Sequence, residues 1–210
     1  LLTDALISST DAASVFSVLR SKKLNLRYGT ASILELESGS NDPWAYMLTV
    51  IILSVMKGGA TAGGFVVSLL SQVVFGVGFG ALISLGAVYL IKRVRFDAAG
   101  FDAIFVTAIA ILSYALPSAV GGNGYLSCYI VGIVLGNTKI SGKTALVHFF
   151  DGITGFTQIL LFFLLGLLAF PSQIPSIILP AAAIALFLTF VARPAAVTVI
   201  MKPFGARWKQ

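Results

Sequence analysis

Seven consecutive residues, Glu37-Ser38-Gly39-Ser40-Asn41-Asp42-Pro43, hold two carboxylates, two hydroxyls and an amide between the apolar stretches 31–34 and 44–56. An ionisable group at bilayer depth costs a few kcal/mol or more, so it persists there where it has a partner, a cavity or a task. On a helix, residues four apart share a face, which pairs Ser38 with Asp42 and Glu37 with Asn41. Pro43 has no backbone N–H and leaves the Gly39 carbonyl without its helical donor. An anion, a hydroxyl and a freed carbonyl together suit a hard cation held by oxygen alone.

Two more charges lie within apolar sequence, Asp11 and Arg193. Arg193 falls about sixteen residues into its segment, too deep to snorkel, and a guanidinium there needs a carboxylate or a lined cavity. Glu37 and Asp42 are the candidate partners. If arginine holds one, the other is free to bind a proton or a metal cation but not both, and that competition couples the two ions. The alternative is that all four charges are structural pairs in a bundle. The threonine, serine and asparagine around them exceed what a scaffold requires.

The elements that must carry these groups are membrane helices. The chain is 58% hydrophobic and 10% charged, with mean hydropathy +0.98, against roughly a quarter charged residues in soluble domains. A single cysteine, Cys128, excludes an internal disulfide framework and a thiolate metal cluster. The first residues are apolar and include Asp4, without the basic start and cleavage site of a signal peptide. With no initiator Met and an opening in mid-helix, the sequence reads as a fragment.

Seven spans are expected. The first covers 1–19 and is broken at Ser8-Ser9-Thr10-Asp11, whose side chains compete for backbone hydrogen bonds. The second covers 30–56. The third, 61–94, has roughly 34 residues and would extend ~50 Å, beyond a ~30 Å hydrocarbon core, so it tilts or joins two bodies. Its Gly76, Gly78 and Gly80 are expected at a close helix contact, Gly76 and Gly80 as a GxxxG pair. The fourth covers 103–116 and is stopped by Pro117. A turn at Gly121-Gly122-Asn123-Gly124 precedes a short span at 125–135; it lacks the spacing and following lysine of a phosphate loop. A loop at 137–143 leads to a span at 150–170 opening with Asp151 as helix cap, then a turn at 171–175 and a last span at 177–201.

Charge arbitrates the orientation. Twelve of the fourteen basic residues fall on alternate loops, at 20–27, 92–95, 139–143 and 202–209; Lys57 lies on the other side and Arg193 within a span. The positive-inside rule makes the basic side cytoplasmic. This distribution accounts for the +6 net charge without nucleic acid as a partner. Glu35 is expected to snorkel, His148 to sit at an interface, and Cys128 to act as a small packing residue.

These residues resemble the monovalent cation:proton antiporters of the NhaP type. The resemblance rests on Thr10-Asp11-Ala12-Ala13-Ser14-Val15-Phe16, on Glu37-Ser38-Gly39-Ser40-Asn41-Asp42-Pro43, on Phe149-Phe150-Asp151-Gly152 and on Ala192-Arg193-Pro194. The closest look is to the potassium/proton branch. The resemblance implies an all-α polytopic fold of about thirteen helices in inverted repeats, of which this chain supplies the fifth to the eleventh. It implies core ion-site helices over 1–57, unwound near 10–11, and a long linker helix over 58–98. Dimerisation-domain helices follow over 99–172, then a core helix with Arg193 and a cytoplasmic tail over 173–210.

Residue roles come with it. Asp42 is the cation and proton carboxylate, with Ser38 and the Thr10 main chain as further metal ligands and Asp11 nearby through water. Asn41 orients the site, and Glu37 forms a structural ion pair with Arg193. The Asn-Asp pair resembles the electroneutral class, exchanging one K+ (or Na+) for one proton by alternating access. The implied protein is a multi-pass homodimer of the cytoplasmic (inner) membrane, not an enzyme and without a cofactor. Two other classes could use the same residues. An intramembrane aspartyl protease would use Asp11 and Asp42, but a Gly-x-Gly-Asp element is absent around both. A channel or a non-transporting sensor lines its pore with rings of carbonyls or charges, which one asymmetric cluster does not suggest.

Overall fold

The computed structural model describes residues 2–9, 30–56, 62–93, 100–140 and 142–201. Thr10, Asp11, the basic segment at 20–27 and the tail at 202–210 lie outside the described residues, and so does the expected unwinding at 10–11. The regular elements described are all helical: α1 (Leu2–Ile7), α2 (Thr30–Met56), α3 (Ala62–Arg93), α4 (Phe101–Ala119), α5 (Gly124–Asn137) and α6 (Lys143–Leu168). A 3-10 turn (Pro171–Gln173), α7 (Ile174–Phe187), a π-helical segment (Leu188–Ala192) and α8 (Arg193–Met201) follow.

Among the described residues four helices are long and apolar enough to cross a membrane: Gly63–Arg93, Phe101–Ala119, Lys143–Leu168 and Ile174–Val199. α2, expected as a span, has 27 residues and extends ~40 Å, but it is not among these four. α5 has 14 residues, ~21 Å of helix, shorter than a full crossing. The expected first span is described only as α1 and the turn at Ser8 and Ser9.

Packing divides the chain into two compact units, Leu1–Phe149 and Phe150–Gln210. In the first, α3 and α5 form the most extensive contact, α4 packs on both, and α2 lies against α1, α3 and α5. Ala87, Ile109, Val131 and Leu135 form its apolar centre, flanked by Ile83, Ile91 and Phe105. Lipid is as apolar as leucine, so helices associate there through close packing and polar links more than through burial from water. Of Gly76, Gly78 and Gly80 on α3, two serve that packing. A Cβ on Gly76 would stand 2.9 Å from the Asn123 carbonyl oxygen, and one on Gly80 would stand 3.1 Å from the Ser127 Cα, whereas Gly78 has open space. Gly76→Val is therefore expected to destabilise the fold by ~1–3 kcal/mol, the range for overpacking. Gly78→Val should change thermal stability little, and equal losses in the two variants would remove the packing assignment.

Three boundaries differ from those expected by three residues or more. Pro117 does not stop the fourth helix, which runs on to Ala119. Proline's φ fits a helix and its missing N–H removes a single bond. The stop is set by Gly121, at φ +77°. Its N–H donates to the Ser118 carbonyl (3.3 Å) and that of Gly122 to the Pro117 carbonyl (2.7 Å), a Schellman closure that requires a left-handed residue. α6 begins at Lys143, where the Gly142 carbonyl accepts from the Leu146 N–H (3.2 Å). Asp151 is thus two turns inside a helix and does not cap one, and His148 is likewise helical. Nothing in 144–150 interrupts helical periodicity, so the polar residues there continue the helix. The expected turn at 171–175 is shorter, because α7 starts at Ile174 with Pro175 in its first turn, where a missing N–H leaves no bond unmade.

In the second unit, α7, the π segment and α8 continue one another along the chain. Pro194 offers no N–H to the Phe190 carbonyl, and the Arg193 N–H donates to the Leu188 carbonyl, five residues back. The wider turn accommodates the proline and places Arg193 at the junction of π segment and helix. Such bulges recur at functional positions.

Candidate functional site

One face of α2 carries Asp42, Ala45, Tyr46 and Thr49, the spacing of a single helical stripe. With Leu6 and Ser9 from α1 and the turn after it, and Tyr125 from α5, these residues line an open cavity of ≈ 400 Å³. Asp42 is the carboxylate among those lining residues. The Ser9 hydroxyl donates to Asp42 Oδ1, joining the end of α1 to the carboxylate. The aromatic wall is built as a chain: Tyr46 and Tyr125 lie 4.6 Å apart at 57°, and Tyr114 meets Tyr125 edge-on at 5.2 Å. Quadrupoles favour such tilted contacts over face-to-face stacking.

One turn earlier on α2 the polar groups serve Glu37. The Asn41 amide donates to Glu37 Oε1 at 3.1 Å, and the Ser38 hydroxyl approaches Oε2 at 3.4 Å. Ser38 is 3% exposed and lies outside the cavity lining, while Asp42 is exposed within it. At this level Ser38 meets Glu37, and one turn on Asp42 meets Ser9. Asn41, expected to orient the site, holds the Glu37 carboxylate. Gly39 admits a neighbour at this level: a Cβ there would stand 2.7 Å from the Tyr129 ring, whose hydroxyl reaches the Leu36 carbonyl at 3.4 Å. Thr10 and Asp11 lie outside the described residues. Glu37 belongs to the first unit and Arg193 to the second.

Behind Asp42, α2 is anchored by a residue the sequence did not single out. Asn123 is 0% exposed. Its amide Nδ2 donates to the Pro43 carbonyl at 3.0 Å, and its Oδ1 accepts from the Leu126 N–H at 3.1 Å as the cap of α5. Its own N–H donates to the Gln72 carbonyl of α3 at 3.1 Å. The cap was readable, because asparagine before a helix is a preferred N-cap; the link to Pro43, 80 residues away, had no local signal. Cys128 behaves as a packing residue, its Sγ 3.2 Å from the Ala110 carbonyl and 3.0 Å from the Ser113 hydroxyl.

The model of the family described as "Sodium/hydrogen exchanger, transmembrane" matches residues 1–210. The K(+)/H(+) antiporter NhaP2 of Shewanella oneidensis is 40% identical over 210 positions, covering 97% of this chain and 36% of that protein. The K(+)/H(+) antiporter NhaP of Alkalimonas amylolytica is 39% identical over 207, covering 97% and 36%. A probable Na(+)/H(+) antiporter 2 of Methanocaldococcus jannaschii is 28% identical over 212, covering 95% and 49%. The chain thus spans about a third of the length of its potassium/proton relatives.

Proposed function

Because the chain belongs to the sodium/hydrogen exchanger family of transmembrane proteins, we propose that it forms the ion-handling part of a secondary transporter exchanging a monovalent cation for a proton. Potassium is the favoured cation, since relatives about 40% identical are named as K(+)/H(+) antiporters; sodium is the second reading, from the more distant Na(+)/H(+) relative. The observation that carries the reading is the Ser9–Asp42 contact at the cavity. A carboxylate beside a hydroxyl offers hard oxygen ligands to a dehydrated cation, and the same carboxylate can take a proton instead.

Each ion excludes the other from Asp42, so cation and proton cross in opposite directions and exchange is electroneutral, one for one. Ser38, Thr10 and Asp11 complete the surroundings of the ion, Asn41 positions Glu37, and Glu37 pairs with Arg193. The ion-site helices, 1–57 and 173–210, move past a frame formed by 99–172, with 58–98 as the linker, in an alternating-access cycle. The protein acts as a homodimer in the cytoplasmic membrane with its basic loops inside, and without a cofactor.

The test uses the full-length protein in everted vesicles carrying an imposed proton gradient. Addition of potassium should collapse the gradient, at a rate unchanged when the membrane potential is clamped at different values. Collapse by sodium but not potassium would replace the substrate. Dependence on potential would remove the one-for-one stoichiometry, and no collapse by either ion in inserted protein would remove the antiport reading.

A further inference from the structure

Pro43 interrupts the hydrogen-bond ladder of α2 immediately after Asp42, so the turn carrying that carboxylate is the part of the helix least held by the helix itself. The residue that holds it from outside is Asn123. A carbonyl has two lone pairs, so Pro43 can accept the Asn123 amide and keep its own helical bond. Asn123 in turn is tied to two helices: its side-chain oxygen caps α5 and its N–H donates to the Gln72 carbonyl on α3. Pro43 and Asn123 are both fully buried, so water does not compete for this bond. Within a helix radius of ~6 Å, a 10° rotation of one turn displaces a carboxylate by ~1 Å, and displacements of that size at a working group have large effects.

On the antiport reading above, we propose that Asn123 is a positioning residue for Asp42, holding the Pro43 carbonyl so that the carboxylate meets Ser9 and the cavity at the geometry the cation requires. The bond joins the segment proposed to move with the ion to the segment proposed to stay. It is therefore made in the state described here, and its loss acts on the cation affinity of that state.

Two variants separate this role from helix capping. Asn123→Ser and Asn123→Asp each keep a good cap acceptor, and each loses the amide donor. Cation-dependent proton flux is measured in vesicles with full-length native protein, both variants and Asp42→Asn, alongside thermal stability with and without the cation. Asn123→Ser should show a half-saturating cation concentration raised roughly five- to tenfold, the worth of one hydrogen bond, and Asn123→Asp at least as much where its carboxyl is ionised, with the maximal rate largely kept. The ratio of variant to native half-saturation should fall with decreasing pH for Asn123→Asp, whose protonated carboxyl can donate to the Pro43 carbonyl, and stay constant for Asn123→Ser. Unchanged half-saturation in both variants would overturn the assignment. So would loss of folded protein or of maximal rate alone, since either would make Asn123 a structural residue. Absence of exchange by the native protein would overturn the antiport reading first and this proposal with it. Exchange by native protein that is lost in Asp42→Asn keeps the two questions apart.

Discussion

Asp42→Asn is expected to reduce cation-coupled proton exchange to less than about one hundredth of the native rate, a loss of ~3 kcal/mol, while leaving the protein folded. The change is nearly isosteric. It keeps an oxygen that can accept from Ser9 but removes both the charge that attracts the cation and the site that takes the proton. Because Asp42 lines the cavity and the buried contacts behind it run through Pro43 and Asn123, removal of the carboxylate disturbs no packing. A neutral amide at membrane depth is also less costly than an ion. Thermal unfolding in detergent should therefore shift little, or rise. The measurement is gradient collapse in vesicles with matched amounts of inserted protein. Retained exchange by the variant would move the carrier role to another carboxylate, Asp11 or Glu37.

The second large effect concerns the proposed pair. Arg193→Ala should destabilise the full-length protein by ~3 kcal/mol or more, because it leaves Glu37 charged and uncompensated in the membrane. Arg193→Ala combined with Glu37→Gln should recover most of that loss. The recovery follows from removing the orphaned charge, since Asn41 and Ser38 can still bond to a glutamine at this position. The π turn at 188–192 rests on the backbone bond from Arg193 to Leu188, so neither variant alters the helix path. Thermal stability of the two single variants and the double variant forms the cycle. A double variant no more stable than Arg193→Ala would exclude the pair.

The helices were readable wherever local chemistry decides. Residues 30–56 formed the expected helix, and the third helix ended within a residue of its expected bounds, because lysine, glycine and apolar periodicity act over a few residues. Gly76 and Gly80 were marked as a contact by spacing alone. Local reasoning failed where a breaker's effect depends on its partners. Pro117 sits inside a helix whose end is set by Gly121, and Asp151 is held in a helix that starts eight residues earlier.

At the site the division is sharper. By itself the sequence determined which groups could do the chemistry: carboxylates, hydroxyls and an amide at helical spacing around Pro43, in apolar surroundings that few such groups survive without a task. Only the tertiary structure decided which of them meet. It put Ser9 on Asp42, gave Ser38 and Asn41 to Glu37, and brought Asn123 to Pro43 across 80 residues. Residue types and spacing along one helix are set by the chain. A contact between helices is set by their rotation and depth against one another, which the close approach of α5 to Gly76 and Gly80 of α3 fixes.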